Sequence, residues 1–163
     1  MTSGLPRDAR VAKRRTETDA LAGARGRARG KACAMADAPA LPLIADAHAA
    51  AGQLANLRNS PVERAVVLYL DPEWRLLGRA DFAGTTTQVA PSFRAIFAEA
   101  LRLGAAALVL AHNHPGGDGS ASAADLAFTR ALVRTAAALD IVVADHLIVA
   151  GDTVTSLREA GAM

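Results

Sequence analysis

The chain has 163 residues, 52% of them hydrophobic and 21% charged, so it can bury the core of one domain and is not disordered throughout. Its one cysteine, Cys33, excludes an internal disulfide framework and a zinc site made of four thiolates. The apolar runs are far shorter than the roughly 20 residues that span a bilayer, and no signal-peptide pattern follows the basic N-terminus. We therefore expect a cytoplasmic protein without a membrane partner.

The positive charge lies in the first part of the chain. Residues 1–34 hold nine basic and three acidic residues, whereas the remainder holds nine basic and 13 acidic ones, for a formal net charge of +2. A basic arm of this kind can bind nucleic-acid phosphates by releasing counterions, and the alternative is a solvated extension without a partner. We divide the chain into a basic, disordered extension at 1–38, with Met35 as an alternative start of translation, and one folded domain at 39–163.

A helix and a hairpin are predicted to open the folded domain. The alanine-rich stretch from Asp46 to Leu57 has the apolar spacing of a helix. The β-branched run from Arg64 to Leu70 predicts a buried strand, and Asp71 to Trp74 predicts a turn. A second strand is expected from Arg75 to Phe82, ending at Gly84.

A second helix and a third strand follow along the chain. Ser92 is placed to cap a helix that runs to Leu103, and Gly104 stands just past its end, where a left-handed residue is favoured. The apolar run from Ala106 to Ala111 predicts the strand.

The last part of the chain predicts one more helix and three short strands. Ser122-Ala-Ala-Asp125 has the form of a capping box that opens a helix ending near Leu139. The predicted strands are Ile141 to Ala144, His146 to Ala150 and Thr153 to Thr155, with a turn at Gly151-Asp152. Because strands and helices alternate, the predicted fold class is α/β or α+β with one mixed sheet.

Two histidines and one aspartate have the spacing of a metal site. His112 and His114 are two residues apart at the end of a predicted strand, so both imidazoles face the same side. The glycine-rich loop at 115–119 lets the chain reverse and return Asp125 in the first turn of the next helix. Two imidazoles and one carboxylate leave the fourth position of a tetrahedral zinc open for water, which is typical of catalytic sites. The same ligand types also hold iron(II).

The water of such a site needs a general base to take its proton. Glu63 stands immediately before a predicted strand, where a neighbouring strand end could bring it to that water, whereas Glu73 and Glu99 are expected to be solvated. Ser122 can donate a hydrogen bond to the oxyanion that forms when a carbonyl is attacked. The alternative for Ser122 and Asp125 is a capping box without a catalytic role.

The segment from His112 to Asp125 matches the JAMM signature, in which His-x-His is followed after seven residues by Ser, two residues and Asp. More narrowly, roughly residues 47–157 resemble the RadC-like JAB domain family. The resemblance extends to Glu63, Gly84, Arg94, Ala100-Leu101 and Asp145-His146-Leu-Ile148. It implies an α/β/α sandwich, shaped like the cytidine deaminases, in which helices flank a central mixed sheet.

The resemblance also implies a role for each site residue. In JAMM proteins the two histidines and the aspartate bind zinc, the upstream glutamate is the general base, and the serine stabilises the tetrahedral intermediate. These roles transfer to His112, His114, Asp125, Glu63 and Ser122. Zinc rests on the resemblance, and iron(II) or another divalent metal stays open. The expected reaction is hydrolysis of a peptide, isopeptide or related amide bond in a peptide or protein substrate.

Other interpretations stay open beside this one. A DNA repair or recombination accessory protein with a metal-bound JAB domain is suggested by the family's association with DNA repair and by the basic arm; a non-catalytic interaction module is the third class. Deaminase chemistry is excluded because no Pro-Cys-x-x-Cys pair is present. Asp145 and His146 are predicted as a turn aspartate and a satisfied histidine outside the active site. The alternatives for this pair are an outer pair that supports the metal ligands and a second metal site. Asp118 is predicted as a solvated loop acid.

Overall fold

The computed structural model describes residues 40–83 and 91–163. The predictions made for the extension at 1–38 and for Gly84 lie outside these residues. Among the helices of the described ranges, none is long and apolar enough to cross a membrane.

A five-stranded mixed sheet forms the centre of the domain. Its strands are β1 (Arg64–Leu70), β2 (Leu76–Ala83), β3 (Ala107–Asn113), β4 (Val142–Ala150) and β5 (Thr153–Ser156). Their order across the sheet is β2-β1-β3-β4-β5. β1 is antiparallel to both β2 and β3, β3 and β4 are parallel, and β5 is antiparallel to β4. The predicted fold class is therefore confirmed.

Helices cover both faces of this sheet. The α1/α2 face carries α1 (Ala47–Gly52) and α2 (Ala55–Arg58), and the α3/α4 face carries α3 (Phe93–Leu103) and α4 (Ala123–Ala137). Side chains of β3 alternate between the two faces, as the pleat of a strand requires. Ala107, Val109 and Ala111 pack with Leu54 and Leu57, whereas Leu108 and Leu110 pack with Ile96 and Leu132. The result is the α/β/α sandwich that the resemblance implied.

Several predicted boundaries are confirmed. β1 has the predicted limits, and the next strand begins and ends one residue later than expected. Ser92 caps α3 by accepting the N–H of Ala95 at 3.2 Å, and Gly104 ends that helix with a left-handed φ of 65°. Ser122 and Asp125 form the predicted capping box at the start of α4.

The single helix predicted from Asp46 to Leu57 is wrong. The chain forms two short helices because the N–H groups of Gln53 and Leu54 bond to carbonyls three residues earlier, at 2.9 and 3.0 Å, and so tighten the chain out of the α-helix. This turn buries the Leu54 side chain to 1% exposure beside Leu57. Tertiary packing of this kind overrides local helix spacing.

The break predicted between two strands at Asp145 is also wrong, because β4 runs through it. Asp145 is buried, and its carboxylate accepts hydrogen bonds from the His146 N–H at 2.7 Å, the Ser156 hydroxyl at 2.6 Å and the Arg158 N–H at 3.2 Å. A buried carboxylate with three donors needs no turn to reach solvent.

One extra residue interrupts the pairing of β4 with β3. The pairing passes from Val143 to Asp145 on consecutive residues of β3, so Ala144 forms a β-bulge. Val143 packs on the α3/α4 face. Beyond the bulge His146, three residues further on, also faces this side and contacts Thr129 of α4. The bulge therefore sets which face the second half of β4 presents to each helix pair.

Candidate metal centre

The end of β3 carries the two histidines of the predicted site. β3 extends two residues beyond the predicted end, to Asn113, so His112 lies within the strand and is buried, and His114 follows it half-buried. Residues two apart on a strand face the same side, and the two Nε2 atoms are 2.9 Å apart. The strand thus places both ring nitrogens at one point above the α3/α4 face.

Asp125 reaches the same point from the first turn of α4. Its Oδ1 lies 3.2 Å from His112 Nε2, and its Oδ2 lies 3.6 Å from His114 Nε2. Burial alone would raise the pKa of the Asp125 carboxyl, but the His112 ring and the hydroxyl and N–H of Ser122 outweigh it and hold this pKa below its usual range. Asp125 is therefore an anion at neutral pH.

Ser122 is engaged with that carboxylate. Its hydroxyl donates to Asp125 Oδ2 at 2.6 Å, and its N–H donates to the same oxygen at 2.8 Å. In return the Ser122 hydroxyl oxygen accepts the N–H of Asp125 at 3.1 Å. The capping box that starts α4 therefore also holds the carboxylate in front of the two imidazoles.

Glu63 approaches from the segment that precedes β1. The antiparallel pairing of β1 with β3 sets Ala65 opposite His112, so the residues just before β1 lie beside the end of β3. One ligand atom each from Glu63, His112 and His114 lie within 4.8 Å of one another. A neighbouring strand end thus brings Glu63 close to the two histidines, and its role as a general base stays a prediction.

Asn113, which the sequence analysis did not single out, holds that segment in place. It lies between the histidines and faces the opposite side of the strand. Its Oδ1 accepts the N–H of Arg64 at 2.8 Å, and its Nδ2 donates to the carbonyls of Ser60 and Val62, each at 3.2 Å. These three bonds fix the backbone on both sides of Glu63. The only signal in the sequence was its place inside the His-x-His motif.

The loop after β3 orients His114. His114 Nδ1 lies 2.6 Å from the backbone carbonyl oxygen of Asp118, which can only accept, so Nδ1 carries the proton and Nε2 keeps its lone pair. The Asp118 carboxylate turns away and accepts the N–H of Ser120 at 2.9 Å. It is exposed, as predicted for a loop acid.

His146 adjoins the site, although a satisfied histidine outside it was the favoured prediction. It is 2% exposed, and its Nε2 lies 2.9 Å from His112 Nδ1. Burial, followed by the neighbouring His112 ring, lowers the pKa of His146 from 6.5 to about 3, so the ring is neutral at neutral pH. A parallel strand and a bulge create this neighbourhood, and sequence spacing reports neither of them.

The donor set of this cluster fits a divalent cation. His114 directs a lone pair, and Asp125 a negative charge, toward His112 Nε2. A carboxylate oxygen of Glu63 lies within 4.8 Å of a ring nitrogen of each histidine. Acceptor groups this close repel one another unless a cation or a proton lies between them. Imidazole nitrogen with carboxylate oxygen is the ligand combination of zinc and of iron(II). Glu63, His112 and His114 form a group that could hold such an ion.

The chain is similar in sequence to proteins of one known family. A family model described as the RadC-like JAB domain matches residues 44–162. A UPF0758 protein of Bordetella bronchiseptica is 47% identical over 108 residues, 66% of this chain and 48% of that protein. A UPF0758 protein of Thermosynechococcus vestitus is 42% identical over 124 residues, 76% of this chain and 47% of that protein. The chain spans about half the length of these relatives.

Proposed function

Because the chain belongs to the RadC-like JAB domain family, we propose that it is a metal-dependent hydrolase of JAMM type that cleaves a peptide, isopeptide or related amide bond. The observation that carries this proposal is the meeting of two Nε2 atoms at 2.9 Å with carboxylates from two other elements. The expected partner is a peptide or protein substrate.

We assign the roles as the resemblance implies. His112, His114 and Asp125 would hold zinc, which when bound would lower the pKa of water from ~15.7 toward ~7 and polarise the substrate carbonyl. This assignment makes Glu63 free for proton transfer. The same carboxylate is near enough to the histidines to be a ligand itself. Metal content in Glu63→Gln and in Asp125→Ala separates the two roles.

Glu63 acts as the general base. It takes the proton of the water as the oxygen bonds to the carbonyl carbon, and it gives that proton to the leaving nitrogen as the C–N bond breaks. Asn113 supports this role through the backbone, because it fixes the chain on both sides of Glu63. The backbone of Glu63 therefore stays in place while its carboxylate moves between the water and the leaving amine.

Ser122 donates to the oxyanion formed during attack. Its hydroxyl bonds to Asp125 in the structure, and rotation about one side-chain bond releases it toward the carbonyl oxygen. The N–H of Ser122 continues to hold Asp125 Oδ2 when the hydroxyl leaves. A donor in this position is worth on the order of 3 kcal/mol in the transition state.

Metal content is the first test. Elemental analysis of protein purified without chelator is expected to find about one zinc per chain, lost in His114→Ala and in Asp125→Ala. Iron in place of zinc would change the cofactor and keep the site. The absence of any stoichiometric metal would overturn the hydrolase.

The second test separates binding from turnover. Glu63→Gln is expected to keep the metal and to abolish cleavage in a screen of peptide and isopeptide libraries, because an amide cannot take a proton from water at neutral pH. Glu99→Gln is the matched control, since Glu99 is paired with Arg102 on α3. Metal loss in Glu63→Gln would instead make Glu63 a ligand.

The basic arm supports a second candidate, a DNA-transaction accessory. Residues 1–34 carry a surplus of six positive charges, which favours binding to phosphates. DNA affinity that falls steeply with salt and disappears when residues 1–34 are deleted would support it. Unchanged DNA affinity after the deletion would contradict it. In a non-catalytic interaction module, by contrast, Glu63→Gln would leave every phenotype intact.

A further inference from the structure

A series of three hydrogen bonds connects the first turns of α4 to His112. The Thr129 hydroxyl donates to the backbone carbonyl of Asp125 at 2.6 Å. The hydroxyl oxygen of Thr129 also lies 2.5 Å from His146 Nδ1, and His146 Nε2 lies 2.9 Å from His112 Nδ1. Thr129, His146 and His112 are all buried, so water does not compete for these bonds.

The donor and the acceptor of each bond in this series follow from one group that can only accept. A backbone carbonyl only accepts, so the single Thr129 hydroxyl proton lies between Thr129 and the Asp125 oxygen. The Thr129 oxygen must then accept from His146, which places the proton of neutral His146 on Nδ1 and leaves a lone pair on Nε2.

His112 takes its tautomer from this lone pair. Since His146 Nε2 accepts, His112 Nδ1 must donate, and the lone pair of His112 is left on Nε2, the atom that faces His114 and Asp125. The reverse direction would set the Thr129 oxygen against the Asp125 carbonyl oxygen at 2.6 Å without a proton between them. Two oxygens at this distance repel, so the first direction is favoured.

We propose that Thr129 and His146 are positioning residues that hold His112 in the tautomer whose Nε2 can bind a metal. The inference rests on the proposed metal site and adds the reason why His112 presents Nε2 to it. The loop carbonyl of Asp118 does the same for His114, so each histidine has its own device. An outer partner of this kind fixes both the tautomer and the angle of a ligand ring.

The first test reads the tautomers directly in metal-free protein. Ring-nitrogen NMR at about pH 8, where an ordinary histidine is neutral, is expected to show the proton on Nδ1 in both His112 and His146. A proton on His112 Nε2 in the wild type would overturn the inference.

The second test removes the hydroxyl that sets the direction. In Thr129→Val, His146 loses the acceptor for Nδ1–H, so its proton is expected to move to Nε2, donate to His112 Nδ1 and drive the His112 proton to Nε2. Zinc affinity, measured by competition with a chromophoric chelator, should then fall about 10- to 100-fold. His146→Leu, which offers no acceptor to His112 Nδ1, is expected to lower zinc affinity in the same range.

Thr135→Val is the matched control. Thr135 also lies on α4 and donates to the carbonyl four residues earlier, Ala131, at 2.9 Å. It is expected to change neither tautomers nor zinc affinity, and thermal unfolding of all variants checks that they fold. Equal zinc affinity in Thr129→Val and Thr135→Val would overturn the inference. Wild-type protein that binds no zinc would defeat the proposed function, and the tautomers alone would then decide the inference.

Discussion

The two helices of the α3/α4 face begin in the same way and differ in what the beginning does. Ser92 accepts the N–H of Ala95 at 3.2 Å, and Ser122 accepts the N–H of Asp125 at 3.1 Å. In α3 the third helical residue is alanine, so no side chain bonds back to the cap. In α4 it is Asp125, which bonds back to Ser122 and also stands against two imidazoles.

The comparison shows that a stabilising cap and a chemical site can share atoms. The start of α4 keeps the ordinary N-cap geometry of an extended Ser122 followed by helix, as α3 does at Ser92. What differs is the residue type at one position and the strand end that faces it. The capping-box interpretation of Ser122 and Asp125 and the metal-site interpretation are therefore compatible.

The largest expected effect comes from a substitution of Asp125 at the start of α4. Asp125→Asn keeps an oxygen for the Ser122 N–H and removes the charge. We expect zinc affinity to fall by more than roughly 100-fold, the most that loss of a residue bonded to a metal ligand costs, with little change in thermal stability. Asp118→Asn, in the exposed loop nearby, is the control. If Asp125→Asn bound zinc normally, the group of Glu63 and the two histidines would be the ligand set instead.

Removing both caps in parallel is the next test. Ser92→Ala and Ser122→Ala should each lower the free energy of unfolding by about 1 kcal/mol, the ordinary value of an N-cap. Only Ser122→Ala should also lower turnover, by about 100- to 1000-fold, because only that hydroxyl donates to the oxyanion in the proposed mechanism. Equal turnover in the two variants would reduce Ser122 to a cap, and chemical denaturation with activity assays would show it.

A pH titration tests our expectation that α3 only packs against the sheet. Tyr69 of β1 is the only tyrosine, and its hydroxyl donates to the Ile96 carbonyl of α3 at 3.2 Å. Burial, and then Glu99, raises its pKa from 10.0 to about 12. Because the folded state holds this proton more tightly, the stabilisation is present below about pH 10 and is lost as pH rises through about 12. Phenolate absorbance should follow this midpoint, and one near 10 would contradict the burial.

The smallest effect should come from making α3 resemble α4. Ala95→Glu places a carboxylate at the third position of α3, where it can bond back to the Ser92 N–H and complete a capping box. The exposed position leaves room for the longer side chain. We expect about 0.5 to 1 kcal/mol of added stability and unchanged zinc affinity. A change in zinc binding would show that the two helix starts are coupled.

Local patterns predicted the elements that depend on short spacing. The two-residue period of a strand predicted β1 and the common side of His112 and His114. Capping and turn chemistry predicted both ends of α3. The resemblance assigned a role to Glu63. The structure then places its carboxylate near both histidines.

Features that depend on pairing between distant strands were missed. Asn113 acts on the segment before β1 because β1 and β3 are antiparallel neighbours. Thr129 meets His146 because β4 lies parallel to β3 and is shifted by one residue. The turn at Leu54 follows from core packing. None of these relations has a period that a sequence can show.

The bulge at Ala144 determines how this domain responds to a change of chain length in β4. Without Ala144, the residues Val143, Asp145 and His146 would stand opposite Leu108, Val109 and Leu110 in one unbroken register. His146 would then still face α4, because residues two apart on a strand point to the same side. The strand between Val143 and His146 can therefore lose this one residue without turning His146 away from Thr129.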